Sequence, residues 1–159
     1  DAAALAAAVS RARAPFALPP GNLSAIRDEL AETMWNDVGI LRDAARLQQG
    51  AAALGEIDAR LDRTGIAGDG EAFNLTWHDW LNLKNLLLVS RCIAVAATVR
   101  ENSRGAHFRE DFPEAGSLEA SAFTRTVLRD GAFDVTTEPV RFTRVKPGET
   151  CIPATGENA

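Results

Sequence analysis

Two histidines, His78 and His107, are the first side chains to weigh, because imidazole titrates near neutrality and ligates metals. They stand about thirty residues apart in different elements, whereas a zinc site needs several converging ligands at a recognisable spacing. His78 reads as a polar edge at the first turn of a helix. Ser103, His107 and Asp111 lie close in sequence. A nucleophile, however, needs a base oriented by a third group within hydrogen-bond reach, and spacing alone gives no such warrant. No glycine-rich loop follows a strand, so neither a phosphate loop nor a dinucleotide fingerprint is present. Cys92 sits in an apolar helix and reads as a small buried hydrophobe. Cys151 lies in a Pro/Gly-punctuated tail, and nothing argues for a bridge between the two. One segment remains, Arg100 to Pro113, which crowds Arg100, Arg104, Arg109, the adjacent acids Glu110 and Asp111, His107 and Gly105 at a helix exit. Such a run can complement the helix dipole and then turn at Gly105. Alternatively it forms a docking edge, where guanidinium forks bind carbonyls or carboxylates of a partner.

The elements that position this segment follow from hydrophobic spacing. The chain has 159 residues, 46% hydrophobic and 25% charged, with a net charge of -5. Those values describe one globular domain large enough to fold without metal or disulfide staples. The acidic balance and the lack of a Lys/Arg run exclude a nucleic-acid footprint. The most apolar stretch, Leu86 to Val99, is about fourteen residues long and carries Arg91, so membrane insertion is not expected. Residues 1–21 form an Ala/Pro-rich leader, whose run from Ala2 to Val9 is an Ala-rich helix or linker. The only methionine is Met34, so a processed product or an excised fragment is expected.

Leu23, Ile26, Leu30 and Met34 recur every three or four residues and predict a helix over roughly 23–37, capped by Asn22. Asp43 caps a second helix through Leu47, Ala51, Leu54, Ile57 and Leu61, ending near Thr64 before Gly65, Gly68 and Gly70. A third helix starts at a capping-box-like Thr76-x-x-Asp79 and runs to about Arg100. Its apolar residues fall on nearly every face, more than two partner helices can cover, so another body is expected on one side. After Pro113 the period becomes two. Phe123–Leu128 and Phe133–Val135 flank the turn Arg129-Asp130-Gly131 and predict a β-hairpin, with Val140–Val145 as a third strand. The fold expected is mainly α: an up-and-down three-helix bundle over 22–113, a β-hairpin extension over 114–146 and a loose tail over 147–159.

Arg100-Glu-Asn-Ser-Arg-Gly-Ala-His-Phe-Arg-Glu-Asp-Phe-Pro113 resembles the signature near the end of the flavoprotein subunits of fumarate reductase and succinate dehydrogenase, and of L-aspartate oxidase. Upstream, Ile26-Arg27-x-x-Leu30-x-x-x-Met34-x-x-x-Val38-Gly39-Ile40-x-Arg42 is similar to that family's first C-terminal helix. Asn85-Leu86-Leu87-x-Val89 is similar to the helix leading into the signature. The resemblance covers residues 22–113 and implies a spectrin-like helical domain that follows FAD-binding and capping domains. It implies that the FAD-binding domain of the same parent protein is the partner covering the third helix. Separately, the apolar side of that helix leads us to expect self-association in the isolated chain. Hydride transfer between flavin and a C4 dicarboxylate would use groups in the preceding domains. No catalytic, cofactor-binding or metal residue carries over, and FAD belongs to the parent rather than to this chain. Arg104, His107 and Arg109 match the signature and are assigned interdomain docking. A cytoplasmic location is expected, with any membrane association made through other subunits. Met34-Trp35-x-x-Val38-Gly39-Ile40 looks most like aspartate oxidases. The tail through Glu138-Pro139-Val140 is more similar to the fumarate reductase and succinate dehydrogenase side. Asn82 stands where the family usually has an acid. The rival readings are a free-standing helical interaction module and a separate small subunit.

Overall fold

The computed structural model describes residues 1–150. Cys151, most of the expected loose tail, and therefore the question of a Cys92–Cys151 bridge, lie outside the described residues. Among the described residues there are four helices and two small β-ladders: α1 (Ala2–Arg13), a 3-10 turn (Ala14–Ala17), α2 (Leu23–Asn36), β1 (Leu41–Arg42), α3 (Ala44–Leu61), α4 (Leu75–Val99), β2 (Phe108–Arg109), β3 (Ala122–Arg129) and β4 (Ala132–Pro139).

The bundle is α2, α3 and α4, packed pairwise around one core. Leu23, Ile26 and Leu30 come from α2, Leu47, Leu54, Ile57 and Leu61 from α3, and Trp80, Leu83, Leu87, Ala94 and Ala97 from α4. On α4 the buried positions step by three and four residues in one continuous stripe, the signature of packing against two antiparallel-type neighbours. Each fully buried leucine contributes about 1.5–3 kcal/mol of transfer free energy, which is what holds three helices of modest propensity together. As the sequence leads one to expect, two partner helices do not cover all of α4. Leu86 is 49%, Val89 55% and Ile93 42% exposed, because two short helices reach only one stripe of its circumference.

The helix starts are side-chain capped. Asn22 Oδ1 accepts from Ala25 N at 3.0 Å, and Asp43 Oδ1 accepts from Arg46 N at 2.8 Å, as the sequence predicts. For α4 the cap is Asn74 rather than Thr76: Asn74 Oδ1 accepts from Trp77 N at 3.0 Å while its amide donates to Gly70 O at 2.9 Å. That second bond ties the cap to the glycine-rich loop, an option a threonine hydroxyl two residues later does not have. At its far end α3 stops at Leu61, three residues earlier than expected. Trp80 Nε1 reaches across to donate to Thr64 O at 2.9 Å, closing the frayed turn.

The leader is not detached. α1 itself buries nothing, but Trp77 Nε1 donates to Ala12 O at 2.7 Å and Pro15 is buried. The Pro19–Gly21 strap is bonded to Gly65, whose N donates to Pro19 O at 2.8 Å. A Cβ at Gly65 would stand 2.0 Å from Leu18 O, so only glycine lets the strap approach.

The hairpin forms as expected, β3 pairing antiparallel with β4 from Ala122↔Pro139 to Arg129↔Ala132. Asp130 and Gly131 both have positive φ, the geometry of a two-residue turn. The hairpin rests on α4, where Arg91 lies 5.2 Å from the centroid of the Phe133 ring. The expected third strand over Val140–Val145 does not form. After the single bond from Val140 N to Ser121 O the chain leaves the two-stranded ladder.

At 25 residues α4 is long and apolar enough, by length and composition alone, to cross a membrane, a test that a core helix also passes. Its charges speak to its packing instead. Lys84 Nζ lies 2.5 Å from Asp58 and 2.7 Å from Asp62, and Arg91 pairs with the other oxygen of Asp58 at 2.8 Å. Two cations on α4 are thus matched to Asp58 on α3 and Asp62 at its C-cap, an ionic seam beside the shared core.

Candidate functional site

The Arg100–Pro113 segment packs against the α2–α3 connection. β2 lies parallel to β1 with Leu41↔Phe108 and Arg42↔Arg109 in register, and Glu110 N donates to Arg42 O at 2.7 Å. Each ladder strand is two residues long, too short to give any hydrophobic period in the sequence. The pairing brings the exits of α2 and α4 together.

Arg109 closes the end of α4 from inside. It is 2% exposed, and its Nη1 donates to Ala97 O and Thr98 O at 3.1 Å and to Arg100 O at 3.3 Å. These carbonyls lie in the last turn of the helix, at the negative end of its dipole, where backbone donors run out; Ala97 O also accepts from Arg100 N at 3.3 Å. Nε and Nη2 form a fork to Asp111 Oδ1 and Oδ2, both at 2.7 Å. Asp111 Oδ2 in turn accepts from Ala44 N at 3.0 Å, at the start of α3. One ion pair therefore sets its cation on a helix C-terminus and its anion on a helix N-terminus. The Arg109 hydrogen bonds hold the Asp111 carboxyl down at about 2, and the same bonds raise Arg109.

His107 is buried between three arginines. Arg42 Nη1 lies 2.6 Å from Nδ1, and Nε2 lies 3.3 Å from Arg100 O. A guanidinium can only donate, so Nδ1 accepts and Nε2 carries the hydrogen that it donates to the carbonyl. Burial pushes the imidazole below its ordinary value, helped by the positive charges of Arg100, Arg42 and Arg109 and opposed by its bond to Arg100 O. The ring is a neutral keystone.

Arg104 staples the stretch beyond the signature. Its Nε donates to Ala115 O at 2.5 Å, Nη2 to Ser117 O at 2.6 Å and Nη1 to Ser121 Oγ at 2.8 Å. Arg104 and His107 exchange backbone bonds around Gly105 at φ +59.

All three residues expected at a docking edge thus direct their polar atoms into their own domain. The segment they build is ordered by them, and any partner meets its surface. Sequence reasoning did not identify Arg42 as the donor to His107 or Ser103 as an anchor. Ser103 Oγ accepts from Arg109 N and donates to Phe112 O, each at 2.8 Å. With His107 held by Arg42 and Asp111 by Arg109, the Ser103–His107–Asp111 set forms no catalytic relay. His78 is exposed in the first turn of α4, as expected. Among the described residues no group of three His, Cys, Asp or Glu could hold a metal. The two-residue β1–β2 ladder and the glycines present make no strand–loop–helix cradle for a dinucleotide, so these residues do not fit FAD by themselves.

The architecture defines a class: a helical domain with an internally latched signature loop and a hairpin extension. Residues 27–152 match the family model described as fumarate reductase flavoprotein C-term, and the chain belongs to that family. The 8-methylmenaquinol:fumarate reductase flavoprotein subunit of Wolinella succinogenes is 36% identical over 88 residues, which is 55% of this chain and 14% of that protein. L-aspartate oxidase of Acinetobacter baylyi is 38% identical over 113 residues, 71% of this chain and 19% of that protein. A solved E. coli quinol fumarate reductase superposes with a TM-score of 0.76 at 27% identity, covering 92% of this chain and 26% of that one. The chain spans about a quarter or less of these relatives' length, and it is similar to their C-terminal helical domain.

Proposed function

We propose that this domain buttresses an FAD-dependent oxidoreductase that moves a hydride between its flavin and a C4 dicarboxylate. The observation that carries the reading is the apolar stripe of α4, left exposed at Leu86, Val89 and Ile93 in a chain of this family. A contiguous apolar face on a folded domain marks a surface that another body covers. The FAD-binding domain of the same parent protein is that body in this reading. Arg104, His107 and Arg109 act in docking by fixing the shape of the loop at the end of the stripe. The chain by itself is not catalytic. When separated from the parent it self-associates through the same face. The parent is cytoplasmic, and any membrane association is made through other subunits.

The test is the intact mass and absorption spectrum of the natural protein, captured from extract with an antibody to this domain. A flavin-bearing polypeptide several times larger than 17.0 kDa that reduces fumarate or oxidises succinate is the expected result. A 17.0 kDa product without flavin would replace the proposal with a free-standing interaction module. The aspartate oxidase relative, with its 38% identity, favours a second reading. Oxidation of L-aspartate in place of succinate would select it.

A further inference from the structure

The arginines around His107 are not equally matched. Arg109 has Asp111, and Arg46 has Asp43 and Glu110. Arg42 and Arg100 are half-buried, and among the described residues neither has a carboxylate within ion-pair distance. Arg42 is held by Val38 O at 3.1 Å and by the neutral His107 ring. Among the described residues the Arg100 guanidinium donates only to Asn102 Oδ1, at 3.2 Å. Burial and the Arg100 charge both lower Arg42 from its ordinary value, and no acid opposes them. In a chain with 22 acids and a net charge of -5, two neighbouring half-buried cations without a counterion are conspicuous, because desolvated charge is costly unless paired.

Their position supplies the second observation. Arg100 ends α4, directly beyond the exposed stripe of Leu86, Val89 and Ile93, and Arg42 lies in β1 beside the exposed, register-paired Leu41 and Phe108. An apolar strip ending in an uncompensated cationic pair has the anatomy of an interface whose partner offers apolar groups and then an acid.

We infer that Arg42 and Arg100 form a receptor for an aspartate or glutamate side chain of the parent's FAD-binding domain, which seats on the α4 stripe and completes the ion pairing of the signature loop. This rests on the docking reading above. It adds the chemistry of the contact and the residues that make it. A planar carboxylate matches guanidinium forks, and a negative group between the two arginines relieves their repulsion.

The experiment uses the full-length flavoprotein carrying Arg100→Lys, treated with a water-soluble carbodiimide. The carbodiimide activates a carboxyl, the introduced amine attacks it, and an amide forms with release of the urea. Peptide mass mapping should find residue 100 joined to one aspartate or glutamate outside residues 1–159. A cross-link only within residues 1–159, or none, overturns the inference. Hydrogen exchange on Arg100→Glu is the second measurement. Amides around Val89 and Ile93 should exchange about tenfold faster than in the wild type, since a lost charge pair speeds separation. Protection of the Leu54 and Leu87 amides should stay unchanged, and Arg100→Gln replaces the glutamate variant if it does not. A wild-type stripe that is protected, with equal rates in the variant, sinks the receptor and leaves the docking reading standing. An unprotected stripe in the wild-type flavoprotein sinks both.

Discussion

Arg109 is the residue on which the domain's signature loop turns, because three carbonyls and one carboxylate depend on a single guanidinium. Replacing it with alanine strips Thr98 O of this donor, leaves Ala97 O and Arg100 O with one bond each, to Arg100 N and His107 Nε2, and releases Asp111 from its fork. The expected loss is about 3 kcal/mol, measured as a lower urea midpoint. Arg109→Lys should recover little of it, since an ammonium cannot bridge both Asp111 oxygens and still reach Ala97 and Thr98. Two titrations bound the loop's tolerance of acid. The His107 pKa lies lower in the fold than its ordinary 6.5, so below that value the unfolded chain binds more protons. The stability His107 contributes is therefore full above pH 6.5 and falls as the pH drops toward its depressed folded value. Urea midpoints at about pH 7.5 and about pH 5 should differ more for the wild type than for His107→Gln, which has no such group to protonate. Equal differences would mean that the keystone is not protonation-sensitive. Asp111 acts lower. Its contribution is present above the ordinary 3.8 and is lost as the pH falls through about 2.

Within single elements the same residue type has opposite meanings. Gly50 and Gly55 both lie in α3. A Cβ on Gly50 would meet Asp37 Cβ and Val38 Cγ2 at 2.9 Å, the close approach that lets the α2 exit lie on α3. A Cβ on Gly55 meets nothing within 4 Å. Gly55→Ala should stabilise the domain by about 0.5–1 kcal/mol through helix propensity, while Gly50→Ala should destabilise it. Paired thermal melts decide this, and a stabilising Gly50→Ala would refute the close-approach argument. The element scale is also where the sequence was most legible. Leu47, Leu54 and Leu61 announce α3 by period, and Asn22 and Asp43 announce two starts by their capping chemistry. The hairpin is visible in alternation around Asp130-Gly131. The Asn74 cap was missed because its advantage comes from a bond to Gly70 O across a loop. β1 and β2 were missed because two residues carry no period. The signature was conspicuous in sequence, but the roles of its side chains were not. Arg109 finds its acceptors on α4, and His107 finds Arg42 sixty-five positions away, contacts that exist only once the bundle has closed.

For the whole molecule, the question is what becomes of α4's outer face. Its inner stripe is complete: Leu83, Leu87 and Ala94 are fully buried. Lys84 and Arg91 are anchored to α3, so the helix cannot roll to hide Leu86, Val89 and Ile93 without breaking that seam. The leader and the hairpin both touch α4 through other residues, Trp77 on one side and Arg91 on the other. In a chain that ends at these boundaries, water meets the outer stripe, and burying apolar area is favourable by roughly 25 cal/mol per Å². A second copy offers the same stripe and so a self-complementary, two-fold contact. The isolated chain should therefore sediment with a concentration-dependent mass, and Val89→Glu should make it monomeric without lowering its urea midpoint, because residue 89 lies outside the core. The parent flavoprotein carrying Val89→Glu should instead lose interdomain protection while its own bundle stays folded. A strictly monomeric wild-type chain that binds no apolar dye would show that the stripe is tolerated in water, and the buttress reading would lose the observation on which it stands.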